Sequence, residues 1–179
     1  MKRQDYISYE SEFMTIAAIC SYRSKDPNTQ HGCVIVSERN RILSTGYNGF
    51  PEGCSDDEFP WTSPEKYPIA EHAERNAIYN AVGSATNLRN STLYLYSEKG
   101  YYPCADCARG IIQVGIKKIV MASQIKGNTD NWDWTATLKM FKSADVKVVI
   151  MESAIDAFLD ISNKLKVSAD ITKKIKELE

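Results

Sequence analysis

Two short segments bring together residue types that do chemistry: His72-Ala73-Glu74 and Pro103-Cys104-Ala105-Asp106-Cys107. Cys104 and Cys107 are three apart, and on a helix that spacing puts both sulfurs on one face. The preceding proline suits a helix start, where its missing N–H costs nothing. In a first helical turn the dipole favours the thiolate form of both cysteines. One imidazole and two thiolates make three protein ligands, and zinc is tetrahedral, so a fourth position stays open for water. A closed structural site would want a fourth protein ligand, and the chain has no second CxxC. Zinc in an open site lowers the pKa of its water toward neutrality. Glu74 then suits the role of proton carrier rather than ligand. His72 and Glu74 are two apart and would not share a face inside a regular helix, so the pair belongs at a frayed first turn. A redox CxxC pair or chance spacing are the competing readings; both leave His72-Ala73-Glu74 unexplained.

Helices and strands must position these groups. Tyr6, Tyr9, Phe13, Ile16 and Cys20 step by three and four, which predicts a helix over 5–24 that Asp26-Pro27-Asn28 breaks. Strands are expected over 33–37 and 41–47, joined by the polar Glu38-Arg39-Asn40 turn. Residues 48–68 form a long loop rich in Gly, Pro and Asp, a kind of segment that is often functional. A helix follows from about His72 to Val82, ending near Gly83. Strand 92–96, a helix opened by Pro103 and closed near Gly115, strand 118–122, helix 135–143 and strand 146–151 come next. Ile155, Phe158, Leu159, Leu165, Ile171, Ile175 and Leu178 predict one or two further helices over 153–179. An opening hairpin followed by strand–helix alternation implies an α/β fold of three layers, α/β/α, around a five-stranded mixed sheet.

Composition sets limits on all of this. A chain of 179 residues fits one domain, with a core at about 5–151 and a helical extension over 152–179. At this size about 70% of the unfolded surface can be buried, so no disulfide staple is needed. The five cysteines are an odd number, which fits a reducing compartment better than a disulfide framework. Lys plus Arg is 22 and Asp plus Glu is 23, giving −1, which argues against nucleic acid held mainly by phosphate electrostatics. Nothing reads as a membrane span or signal peptide, so the expectation is a cytoplasmic protein.

The arrangement H-x-E…P-C-x-x-C is the recognised signature of zinc-dependent nucleobase deaminases, and the chain resembles the cytidine deaminase superfamily. Within it the sequence is similar to the deoxycytidylate (dCMP) deaminases over about 10–151. Three further blocks carry the likeness: Arg23-Ser24-Lys25-Asp26-Pro27-Asn28-Thr29-Gln30, Gly46 through Asp57, and Ile111-Ile112-Gln113-Val114-Gly115-Ile116-Lys117-Lys118. The Gly46–Asp57 block is the most specific of them.

That resemblance implies a cytidine deaminase-like fold and hydrolytic deamination of dCMP to dUMP and ammonia, which supplies thymidylate synthesis. Zinc would be held by His72, Cys104 and Cys107. Glu74 would carry the proton to the ring nitrogen beside the reacting carbon and then to the departing amine. Asn48 would hydrogen-bond the sugar hydroxyl, or else serve as a turn asparagine. Arg23, Ser24 and Lys25 suit a 5′-phosphate, Ser24 and Lys25 above all, or else form a solvated helix end. Ala73 would offer a backbone group to the base edge. The resemblance further implies a homo-oligomer, a hexamer, activated by dCTP and inhibited by dTTP. Asn48, Gly49, Asp56 and Asp57 would then read the effector, with Mg²⁺ on its phosphates; an ordered loop without an effector is the alternative.

The chain also departs from the family pattern. His31 precedes Gly32 where a small apolar residue is usual, and reads as a loop or edge histidine. Ser97 through Tyr102 lengthens the approach to Pro103. Cys20, Cys54 and His31 are the material for a second, structural zinc, although Cys20 and Cys33 read better as packing residues. Trp132 and Trp134 either flank the base or pack a helix start. Two other functions share part of these features. Deamination of adenosine in tRNA would want a more basic surface, and a regulatory zinc module would have no use for Glu74.

Overall fold

The computed structural model describes residues 2, 4, 6–97, 99–122 and 134–151. Strand β1, His31–Val36, is apolar on both faces: Cys33, Val34, Ile35 and Val36 are all buried. A strand of that kind needs cover on both sides. Helix α1, Tyr9–Ser21, supplies one cover, with Phe13, Met14 and Ala17 packed on Val34 and Val36. Helices α2 (Ala73–Gly83), α3 (Ala105–Gln113) and α4 (Thr135–Ser143) supply the other, around Cys33 and Ile35. The remaining strands are β2 (Ile42–Tyr47), β3 (Thr92–Ser97), β4 (Lys118–Ala122) and β5 (Lys147–Met151). Their order in the sheet is β2-β1-β3-β4-β5. The first three pair antiparallel and the last three parallel. This is the expected three-layer α/β/α arrangement with a five-stranded mixed sheet.

Boundaries differ from the sequence pattern where local hydrogen bonds decide. The first helix starts at Tyr9 rather than 5, because Ser8 caps it by accepting the Ser11 N–H at 3.1 Å. β1 begins at His31, two residues early, because the ladder with β3 extends to a His31–Ser97 pair. The α3 helix begins at Ala105, so Pro103 lies just before its cap. The proposed extension at 152–179 and Trp132 lie outside the described residues. No helix among the described residues is long and apolar enough to cross a membrane.

Two glycines let the helices approach the sheet closely. A Cβ at Gly32 would lie 1.9 Å from the Ala17 carbonyl oxygen of α1. A Cβ at Gly46 would lie 2.4 Å from the Ala77 nitrogen and 2.5 Å from the Ala73 oxygen of α2. Gly46 therefore fixes how near the start of α2 comes to β2, and the start of α2 carries His72 and Glu74.

Candidate active site

Two helix N-termini meet at the site. His72 is the N-cap of α2, in extended conformation (φ −81°, ψ 153°). Cys104 is the N-cap of α3, also extended (φ −67°, ψ 169°), and its sulfur accepts the Cys107 N–H at 3.5 Å. The residues at the two caps thus leave the helical register. That is why His72 and Glu74, two apart in sequence, both reach one cavity: the first stands outside the helix that carries the second.

The His72 Nδ1 atom lies 3.5 Å from the Cys104 sulfur and 3.5 Å from the Cys107 sulfur. Zn–N of about 2.1 Å and Zn–S of about 2.3 Å at a tetrahedral angle require N···S edges of roughly 3.5–3.6 Å. The donor set and its spacing therefore fit zinc. Among the described residues this is the one His/Cys/Asp/Glu group with such convergence. Cys20 is half-buried, Cys33 buried and Cys54 exposed, all with free thiols.

The electrostatics agree with a cation site. The Cys104 thiol is brought down to about 4, chiefly by the hydrogen bond from Cys107 and further by His72. Cys107 moves the other way, raised by its hydrogen bond to Cys104 and by burial. A divalent cation bound here would hold both sulfurs as thiolates. His72 is raised through its hydrogen bond to Cys104. Glu74 is 5% exposed, and burial raises its carboxyl above the usual range. A buried carboxyl with a raised pKa can both accept and return a proton near neutrality.

The ligands are held from behind. The Glu71 Oε1 atom accepts the His72 N–H at 3.0 Å and the Arg75 Nε–H. Gly49 and Glu71 exchange backbone hydrogen bonds of 3.1 and 2.8 Å, tying the long loop to the residue before His72. Thr137 of α4 donates to the Pro103 carbonyl at 3.0 Å, fixing the approach to Cys104.

A cavity of about 310 Å³ opens over these groups, lined by His72, Glu74 and Cys104 together with Asn48. Asn48 is buried; its Oδ1 accepts the His31 N–H at 2.7 Å and its Nδ2 donates to the Thr29 carbonyl at 3.0 Å. Ala73 is fully buried between its two functional neighbours. The Arg23-Ser24-Lys25 cluster is not on the cavity wall. The Arg23 guanidinium sits 5.7 Å from the centre of the Tyr47 ring, and the Ser24 hydroxyl accepts the Asp26 N–H at 3.3 Å. Lys25 is exposed and ion-paired with Asp56. Gly49 makes the Glu71 bridge, the Asp56 carbonyl accepts from the Trp61 indole at 3.0 Å, and Asp57 is exposed.

The wall also includes residues that the sequence left outside the site, or left with two readings. Asp26, Asn28 and Thr29 follow the Arg23–Lys25 cluster and line the cavity in its stead. Lys66, from the end of the long loop, is buried and paired with buried Asp26 at 2.5 Å. Lys99, Tyr101 and Tyr102 come from the lengthened segment before Pro103. His31 is neither a loop nor an edge-strand histidine: it starts β1, which lies between β2 and β3, lines the cavity, and lies 6.0 Å from Tyr101 between ring centres. Trp134 lines the cavity as the α4 N-cap, with its ring against Tyr101 and Tyr102. Lys66 lies between Pro64 and Pro68 of the long loop, and nothing in sequence pairs it with Asp26.

Comparison with known proteins places these features among relatives. The family described as "Cytidine and deoxycytidylate deaminase zinc-binding region" matches residues 7–123. The deoxycytidylate deaminase of Homo sapiens is 40% identical over 151 residues, covering 81% of this chain and 80% of that protein. The deoxycytidylate deaminase of Pongo abelii gives the same figures, 40% over 151 residues. The dCMP deaminase of cyanophage S-TIM5, solved in complex with dCMP and dUMP, aligns with a TM-score of 0.61 at 24% identity. It covers 82% of this chain and 100% of the phage chain, which shows a shared fold.

Proposed function

The chain belongs to the cytidine and deoxycytidylate deaminase family, and from that premise we propose that it is a hydrolase converting dCMP to dUMP and ammonia. One observation carries the reading: a His-Cys-Cys triad with zinc-like spacing beside a buried carboxyl, at the floor of a nucleotide-sized cavity. Zinc held by His72, Cys104 and Cys107 supplies an acidified water when bound. Glu74 would accept one proton from the attacking water and deliver it to the ring nitrogen beside the reacting carbon; as the hydroxyl added to that carbon becomes the carbonyl, Glu74 would take its proton and pass it to the amine, which leaves as ammonia. Burial serves this cycle, because a carboxyl with a raised pKa takes up a proton more readily than an ordinary one. Asn48 keeps one N–H beyond its bond to Thr29, and that N–H suits a sugar hydroxyl. The Ala73 backbone, between His72 and Glu74, would offer a group to the base edge.

Regulation and assembly belong to the same proposal and rest on the family resemblance. dCTP would activate and dTTP inhibit a homo-hexamer in the cytoplasm. The effector would bind at Asn48, Gly49, Asp56 and Asp57, with Mg²⁺ on its phosphates. The Gly49–Glu71 bridge offers a physical route, since it joins that loop to the neighbour of His72. Allostery of this kind needs two states with different effector affinity.

Ammonia release from a panel of dCMP, deoxycytidine, dCTP and a folded tRNA tests the reading. The expected result is preference for dCMP, with sigmoidal rate curves made hyperbolic by dCTP. Turnover of tRNA adenosine instead, or of no base at all, would overturn it.

A further inference from the structure

We propose that His31 and Lys99 seat the 5′-phosphate of the nucleotide inside the cavity. The assignment rests on the reading above that the substrate is a nucleotide, and it names the groups that would hold its charged end.

The charge inventory of the wall points to Lys99. Asp26 is already neutralised by Lys66, and Glu71 by Arg75. Glu74 is committed to proton transfer. Lys99 lines the cavity, is partly buried, and has no ion-pair partner among the described residues. A partly buried ammonium without a counterion is costly to desolvate, and an anionic ligand group removes that cost. The cation expected in this role from sequence, Lys25, is exposed and engaged by Asp56 away from the cavity wall.

His31 adds the directional contact. Its ring nitrogens have no hydrogen-bond partner among the described residues, although its main chain is held by Asn48. Burial, followed by His72, brings its pKa down to about 4, and Lys99 and Lys66 push it the same way against Asp26. The imidazole is therefore neutral at pH 7, with one N–H to give to a phosphate oxygen.

The backbone sets the two side chains together. His31 and Ser97 are partners across the antiparallel β1–β3 ladder. At Ser97 the chain turns: the Gly100 N–H donates to the Ser97 carbonyl at 3.1 Å, and the Tyr101 N–H to the Ser97 hydroxyl at 3.2 Å. Gly100 takes φ +69°, which lets the turn close. The turn carries Lys99 beside His31, with the Tyr101 ring against the imidazole. The two places where the sequence leaves the family pattern thus meet in one wall, through His31 on one side and Lys99, Tyr101 and Tyr102 on the other.

The test uses the zinc-loaded full chain and compares kcat/KM for dCMP with that for deoxycytidine. Lys99→Ala should lower the dCMP-to-deoxycytidine ratio about tenfold or more, chiefly through KM for dCMP, and Lys99→Arg should restore it to within about threefold of wild type. His31→Val should lower the same ratio about fivefold, given one lost hydrogen bond. If His31→Val melts early, Lys99→Ala, in a turn outside the core, still decides. The His31 imidazole 1H–15N resonances should shift on adding dUMP and stay in place with deoxyuridine. A ratio unchanged within about twofold in Lys99→Ala, or equal losses on nucleotide and nucleoside, overturns the proposal. Absence of dCMP turnover in the wild type would remove the proposed function instead. The seat is then judged by equilibrium binding alone, supported by tighter dCMP than deoxycytidine binding that Lys99→Ala abolishes, and overturned by equal affinities.

Discussion

Asn48 and His31 grip each other twice. The Asn48 side-chain oxygen accepts the His31 N–H at 2.7 Å, and the Asn48 N–H donates to the His31 carbonyl at 3.3 Å. The same side chain donates to Thr29. One amide thus closes the end of the β1–β2 hairpin and shapes the cavity wall. Asn48→Ala leaves the His31 N–H and the Thr29 carbonyl without these partners, at a cost of about 1–3 kcal/mol. Thermal denaturation should show a Tm roughly 2–8 °C lower, and KM for dCMP should rise. An unchanged Tm would contradict the structural role.

Glu74→Gln keeps size and burial and removes the proton carrier. The expected loss in kcat is about 10²–10⁴-fold, with zinc content by metal analysis equal to wild type. Near-normal ammonia release with zinc bound would sink the mechanism.

Zinc held by this triad would also join two helices, because His72 and Cys104 are the N-caps of α2 and α3 and Cys107 lies in the first turn of α3. Removing it with a chelator should abolish activity and lower Tm, since ligand bound only by the folded state stabilises that state. Added Zn²⁺ should restore both. A chelated protein that keeps its Tm would show that the triad contributes nothing to the fold.

Lys66 and Asp26 form a buried pair, 6% and 4% exposed. Asp26 also accepts the Asn28 N–H at 2.9 Å and the Thr29 N–H at 3.3 Å, so it cannot turn away. Lys66→Met strands the carboxylate and should cost about 3–5 kcal/mol in urea denaturation. Adding Asp26→Asn removes the stranded charge and should recover part of the loss. Additive effects in the double variant would rule out the coupling.

His31 makes stability fall on the acid side. Its folded pKa is about 4, held down first by burial and then by His72 and Lys99, with Asp26 opposing. The unfolded value is about 6.5. Between these the unfolded chain binds more protons, so stability rises with pH. The contribution is complete above about pH 6.5 and is lost as pH falls toward 4, by at most ~3 kcal/mol. His31→Val should lack this slope in denaturation curves taken between pH 7 and pH 4. Parallel curves for the two proteins would exclude a neutral, partly buried imidazole.

Much of the site was legible from the residues in order. His72, Glu74, Cys104 and Cys107 sit in two short segments whose spacing already implies three ligands and a proton carrier. Helix and strand types followed from local periodicity, and β4 and α4 lie where that periodicity put them. Caps were less legible. Ser8 and Cys104 move the helix starts through single side-chain contacts that periodicity does not register.

Sequence by itself determined the reaction class, because metal ligation and proton transfer need particular atoms at short spacing, and short spacing is visible along a chain. Only the tertiary structure decided which cations line the cavity. Lys25 stands in the expected block yet pairs with Asp56, 31 residues away. Lys66 reaches Asp26 across 40 residues, and Lys99 reaches the cavity because β3 pairs with β1. Charge acts through space and is cancelled by whatever folds beside it. A cation's role therefore depends on distant neighbours that the folded chain brings into contact.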